Sequence, residues 1–482
     1  QSGVIASNQQ LSLKSQGLNN NAGQIGSVQG QIQLDAGQLR LENQQGLIQA
    51  GQGINIVANG VNNAQGQINS KNLLQLNSQG QLLDNSQGTL SSESIKIDSG
   101  RLNNNQGLIQ AQQTIQIDTH NQDLVNTNSG QQGGILSQGD IQLSNVKTLN
   151  NSQGYLASAK ELGIQVNQVL NQQGTILAGK QLNIWGTGQN QLLDNQSGQL
   201  LSMGGMTLNI DRINNNGKLK PSDADSHIMA VGDLNITTQQ LDNQNTLTTS
   251  PTDTSIQGID ANNLNITTNI LNNQTGAIRS SGNQNLNIRQ ILNNQSGQIS
   301  SEKQLIIVGD QLVINNLKGQ ILSGTGLNLT AKSLSGNGKV LSLGDAQVNL
   351  KESYTHGVGA QLQANQNLSL ITQGNIINYG AINSGNRLDI NAVNIGNMVD
   401  AKIESHETRL TAQNELNNTG LINGDYTRLQ ANTLNNQGTG RIYGTTLAIN
   451  ANTLNNQPNS AGVAPVIASR GDMYLGVQVL NN

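Results

Sequence analysis

Apolar and polar residues alternate along this chain in short bursts, and the bursts return at a fixed interval. Residues 102–111 read Leu102-Asn103-Asn104-Asn105-Gln106-Gly107-Leu108-Ile109-Gln110-Ala111. The phrase recurs around Leu41, Leu83, Leu271 and Leu292. Its first apolar residue falls at 18, 41, 61, 83, 102, 124, 149, 170, 193, 213, 241, 271, 292, 314 and 334. After a degraded copy near Tyr354 it resumes at 376, 395, 416, 434, 454 and 480, a mean step of about 22 residues. Each unit holds three segments of period two: Leu-x-Asn (Leu102, Asn104), Gly-x-Ile/Leu-x-Ala/Ser (Gly174 to Ala178) and Leu/Ile-x-Leu/Ile (Ile54 and Ile56, Ile115 and Ile117). Period two places alternate side chains on one face of a strand, and Gly, Asn, Ser and Gln between the segments supply turns.

Three strands and three turns per unit predict an all-β chain: a single parallel β-helix (β-solenoid) with three strands in each coil. At one inter-strand spacing of ~4.8 Å per coil, the repeats predict a rod on the order of 100 Å long. A narrow core suits Leu, Ile, Val, Ala and Ser, and the chain has no Phe and one Trp.

The phrase divides into roles. Leu102 and Asn104 share a strand face, so the Asn column points inward. A buried amide is costly unless hydrogen-bonded, and stacked Asn residues can bond one another as a ladder. The Gly column is expected to hold turns at positive φ, with Asp400 in place of Gly in one coil.

Charged residues make up 11% and the net charge is −4. Lys and Arg are scattered, so nothing points to nucleic acid as a partner. With no Cys there are no disulfides, thiol catalysis or Cys-ligated metals. The four His residues (120, 227, 356, 406) are 107, 129 and 50 apart, so no two stand one coil apart, and no metal or cofactor is expected. His356 sits in the Asn column and reads as a substituted core amide. A β-helix enzyme would need clustered carboxylates, yet Asp84, Asp194 and Asp242 share a column at least two coils apart. The nucleophile elbow Gly-x-Ser-x-Gly is absent. Asn-x-Ser/Thr triplets, as at Asn195, Asn235 and Asn273, arise readily in so Asn-rich a chain.

The chain, 1–482, reads as one continuous β-helix with two departures. Steps widen to 28 and 30 across 213–270, and the repeats degrade over 341–408. Insertions in consecutive coils emerge together and are a usual place for binding. The candidate partner-binding residues there are Lys218, Lys220, Asp223, Asp225, His227, Thr248, Thr249 and Asp253. The chain opens at the second segment of a coil (Gly3 to Ser7) and closes on Leu480-Asn481-Asn482, the start of another. That is expected of a piece of a longer protein.

The phrase Leu-x-Asn-x-x-Gly-x-Ile/Leu-x-Ala/Ser…Leu-x-Leu/Ile resembles the filamentous haemagglutinin repeats of large exoproteins from Gram-negative bacteria. The resemblance implies a right-handed helix and secretion to the outer cell surface through an outer-membrane two-partner transporter; the missing carboxylate clusters and catalytic motifs lead to the expectation of no enzyme activity. It implies a stalk, either of a haemagglutinin-like adhesin or of a contact-dependent growth inhibition effector that carries a C-terminal toxin. The alternatives are receptor binding by the 213–270 insertions and a polysaccharide-acting enzyme. A target-cell surface receptor is the other expected partner, and the chain is expected to be a monomer. The Asn-Pro motifs of the family's secretion domain are missing: none of Pro221, Pro251, Pro458 and Pro465 follows Asn. The Val-Glu-Asn-Asn junction before a toxin is also missing, so the transporter contact and any toxin are expected outside this segment.

Overall fold

The computed structural model describes residues 3–218, 226–248 and 257–482. Every regular element among them is a strand. They form two compact units, Gln1–Asp242 with Thr248–Ala261 and Asn243–Leu247 with Asn262–Asn482. Each unit is a parallel β-solenoid.

One coil of the first unit shows the plan: Leu41–Glu42, Leu47–Ala50 and Ile54–Val57. Each strand pairs in parallel with its counterpart in the coils before and after. Ile48 stands between Ile25 and Ile68, and Ile56 between Leu34 and Leu76. These inward residues are almost wholly buried, so the core is a set of aliphatic columns in register. Near 170 the inward residue is Val169, in register with Leu149 and Leu193, so the repeat mark belongs there and not at Leu170. At the next corner a Ser closes the turn. Ser158 Oγ donates to the carbonyl of Gly139 in the preceding coil (2.6 Å) and accepts the Lys160 N–H (3.1 Å).

The Asn column is an inward ladder, as its pattern predicts. In the first unit Nδ2 of each Asn donates to Oδ1 of the next, through Asn20, Asn43, Asn63, Asn85, Asn104 and Asn126, at 2.7–2.9 Å. It continues through Asn151, Asn171 and Asn195 to Asn215. Nδ2 of Asn43 also faces the carbonyls of Gly46 and Gln67, both at 3.3 Å. Each buried amide thus has partners for its donor and its acceptor, which removes the desolvation penalty. The second unit has a run from Asn243 to Asn316 and another from Asn378 to Asn482.

The Gly column differs from expectation. Gly46, Gly66, Gly88 and Gly107 are not at positive φ; the residue before each is, with Gln45 at 56°, Gln65 at 57°, Gln87 at 54° and Gln106 at 55°. Glycine is needed there for close approach. A Cβ on Gly66 would lie 2.1 Å from the Asn43 carbonyl oxygen, and one on Gly88 2.2 Å from that of Asn63. The Gln residues stack outside as a second ladder, Gln45 to Gln65 to Gln87 to Gln106, at 2.8–3.0 Å. Asp400 follows the same rule: it has a φ of 62°, but it fills the Gln position, and Ala401 follows where Gly would stand.

Between the two runs in the second unit, Gly336 and His356 occupy the Asn column. His356 is buried and in register with Asn378. Its Nε2 donates to the Ala381 carbonyl (3.0 Å), and its Nδ1 accepts the Tyr354 hydroxyl (2.8 Å). The next run starts cleanly, because Oδ1 of Asn378 accepts the Gly380 N–H at 3.0 Å. Two inward positions hold side-chain atoms without a partner among the described residues, Ser384 through its Oγ and Gln284 through its whole amide. Gln284 stands between Leu264 and Leu305, is fully buried, and neither Nε2 nor Oε1 has a partner among the described residues.

Three outcomes are expected. Asn85→Ala removes the shortest partner of Asn63 Nδ2, leaving it only the Gly66 and Thr89 carbonyls at 3.2 and 3.3 Å, and leaves Oδ1 of Asn104 without its donor, so denaturant unfolding should show a loss of about 2–5 kcal/mol. Gln284→Leu removes an unpaired amide from an aliphatic column and should raise stability by about 1–3 kcal/mol in the same measurement. Burial lowers the pKa of His356 from its usual 6.5, so the unfolded chain takes up a proton that the folded chain refuses. Stability from this site is complete above the unfolded value and falls as the pH drops below it toward the folded value. Hydrogen-exchange protection over residues 354–382 should therefore fall between about pH 7.5 and pH 5, and His356→Gln should abolish that slope.

Candidate functional site

Of the eight residues singled out from sequence, Lys220, Asp223, Asp225, Thr249 and Asp253 lie outside the described residues. Lys218 is exposed and Thr248 half-buried. His227 is not on an insertion. It opens the strand His227–Ala230, in register with Gln199 and Gly258, and is 8% exposed. Its Nε2 lies 3.2 Å from Oδ2 of Asp260. Its carbonyl accepts Nδ2 of the ladder residue Asn195 (3.2 Å), so its backbone belongs to the coil wall.

Sequence reasoning looked for His beside His and overlooked His beside carboxylate. Among the described residues three His meet a carboxylate of another coil: His120 with Asp98, His227 with Asp260, and His406 with Asp425. The first is the richest. Asp98 and Asp118 are in register on adjacent coils. His120 Nε2 lies 2.7 Å from Oδ1 of Asp98, and its Nδ1 3.7 Å from Oδ1 of Asp118. Asn145, one coil further, donates Nδ2 to Oδ2 of Asp118 at 2.8 Å. Asp118 Oδ1 also accepts the His120 N–H, which fixes the turn that holds His120 and Asn121 at positive φ. The hydrogen bond to Asp98 raises the His120 pKa above 6.5; burial opposes it, and the charges of Asp118 and Asp98 add to it. The pair reads as a surface clasp between coils: each carboxylate is committed to a donor. His406 likewise pairs with Asp425 (2.8 Å) and meets the ring of Tyr426 edge-on, with centroids 5.8 Å apart. A search for His and Asp one coil apart would have found His120 and His406, which stand 22 and 19 residues from their partners.

The concave surfaces are shallow. In the first unit a groove of about 770 Å³ follows the corner after the second strand, lined by Lys71, Glu93, Gln110, Leu136, Ala157 and Leu177 among others. In the second unit a groove of about 620 Å³ is lined by Lys303, Gln304, Asp345, Gln347 and Asp389 among others. Among the described residues no group of three or more His, Asp and Glu is arranged to hold a metal ion. A Gly-x-x-x-x-Gly-Lys spacing does occur at Gly174 to Lys180. Its middle is the strand Thr175–Ala178, which lacks the loop that cradles phosphate. Of the three Asn-x-Ser/Thr triplets singled out, Asn195 and Asn273 are buried rungs of the ladder, and Asn235 lies on the outer face.

The geometry is that of a wall with short-range clasps. Comparison with known proteins agrees with it. A model of the haemagglutinin repeat matches residues 1–43, 28–91, 118–153, 144–190, 181–220 and 341–420, more than half of the chain. The last match spans the stretch that breaks the Asn ladder at His356. No curated protein and no solved structure matches the chain. The chain belongs to the haemagglutinin-repeat family.

Proposed function

We propose that this segment is the stalk of a large exoprotein on the surface of a Gram-negative bacterium, exported through a partner outer-membrane transporter. It holds a distal adhesive or toxic region toward a neighbouring cell, in adhesion or contact-dependent growth inhibition. The observation that carries this reading is the ladder: ten successive coils of the first unit are joined side chain to side chain through buried amides, from Asn20 to Asn215. Such a stack resists bending without metals, disulfides or a thick core. Coil-by-coil propagation also suits a chain that leaves the cell unfolded and folds outside. The role is mechanical and not enzymatic: Asp98 and Asp118, in register on adjacent coils, are tied to His120 and Asn145, and Asp140, opposite Glu161, accepts the Glu161 N–H.

Small-angle X-ray scattering tests the stalk. The expected maximum dimension is on the order of 100 Å, from one inter-strand spacing per coil. A value well short of that overturns the reading. Deleting residues 219–225 and 249–256, while keeping Ser226, His227 and Thr246 in their coils, should leave both the scattering profile and target-cell binding by the parent protein unchanged. Loss of binding with an unchanged profile would move the function to the insertions.

A further inference from the structure

After Ala6, the outward middle position of the second strand is polar or Gly over five coils: Gly26, Gln49, Asn69, Ser91 and Gln110 follow one another in register. The next five coils change character. Leu136, Ala157, Leu177, Leu201 and Met229 form one half-buried apolar column, and Asp260 ends it. The adjacent corner column joins in, with Met203 49% and Val231 58% exposed. Neither column carries a charge between Leu136 and Val231, and polar rows close the patch at Gln110 and Asp260. Bounded apolar patches of this kind mark interaction sites.

The spacing selects the occupant. The rows stand one inter-strand spacing apart, ~4.8 Å. A partner that seats against all five rows must repeat its own side chains at that interval, and another solenoid face does so. A second copy offers the same Leu and Met columns, which can interdigitate as in a dry sheet-to-sheet zipper, with Lys160 and Lys180 at its rim. Area sets the strength. Five rows of one strand's width give only a few hundred Å², against about 800 Å² per partner in a standard stable interface. We propose that this face binds the same face of a second copy of the chain, reversibly and in register. The inference stands apart from the stalk reading, since either can fail without the other.

Sedimentation equilibrium on the whole chain tests it. The average mass should climb from one copy toward two as concentration rises through roughly the 100 µM range. The double variant Leu201→Glu/Met229→Glu should weaken association by at least about tenfold. The chain has no Cys, so a single introduced thiol reports contact directly. Leu177→Cys should give a disulfide-linked dimer on oxidation, whereas Ser300→Cys, at the same outward position in the second unit, should not. Three results would overturn the proposal: a monomer at every concentration without Leu177→Cys dimers, equal association by the Glu variant, or equal cross-linking through Ser300→Cys. Flotation of a monomeric chain with phosphatidylcholine vesicles, lost in the Glu variant, would assign the patch to a lipid surface instead.

Discussion

The fold depends on an amide that donates and accepts along one line. Asn63 takes the amide hydrogen of Asn43 on its Oδ1 and passes its own to Asn85, both at 2.7 Å. That bond spans one coil, so it fixes the rise between coils at the spacing the parallel backbone also needs. The consequences run outward. The carbonyl of Asn43 is pressed against Gly66 so closely that no Cβ fits. Gln65 just before it is then turned into the left-handed region. The core shrinks to aliphatic columns because one corner belongs to amides.

The ladders differ in sense. Inside, the earlier coil donates to the later: Asn418 to Asn436, then Asn436 to Asn456. On the outer side of the same strands the later coil donates to the earlier: Asn435 to Asn417, Asn455 to Asn435 and Asn481 to Asn455, each at 2.7 Å. Parallel amide chains of opposite sense offset each other's dipoles, while each keeps the mutual polarisation that strengthens hydrogen bonds in series. The break at Gly336 and His356 is handled locally. Tyr354 and Ala381 supply the imidazole's partners, and the Gly380 N–H restarts the ladder at Asn378.

Much of this was legible from spacing. Period two located the strands, and the shared face of Leu102 and Asn104 put the amide inside, because both follow from backbone geometry alone. The exchange of roles between Gln65 and Gly66 was not legible. It depends on how near the carbonyl of the preceding coil comes, a distance that no single repeat encodes. His227 was misassigned to an insertion for a related reason: what holds it is register with Gln199 and Gly258, set by neighbours 28 and 31 residues away. The unpaired amide of Gln284 was hidden because its segment, Gln284-Asn285-Leu286, keeps the alternation while changing one letter.

A wall built on amides also has a particular way of growing old. Hydrolysis of one rung, say Asn104, would leave a carboxylate where Asn126 and Asn85 expect an amide, facing one neighbour's oxygen without a hydrogen to offer. In none of the buried rungs does Gly follow the Asn, the pairing that most readily lets a backbone nitrogen attack the side-chain carbonyl. Each carboxamide is held from both sides, away from the geometry of that attack. The contacts that set the rise therefore also set the chemical lifetime of the wall.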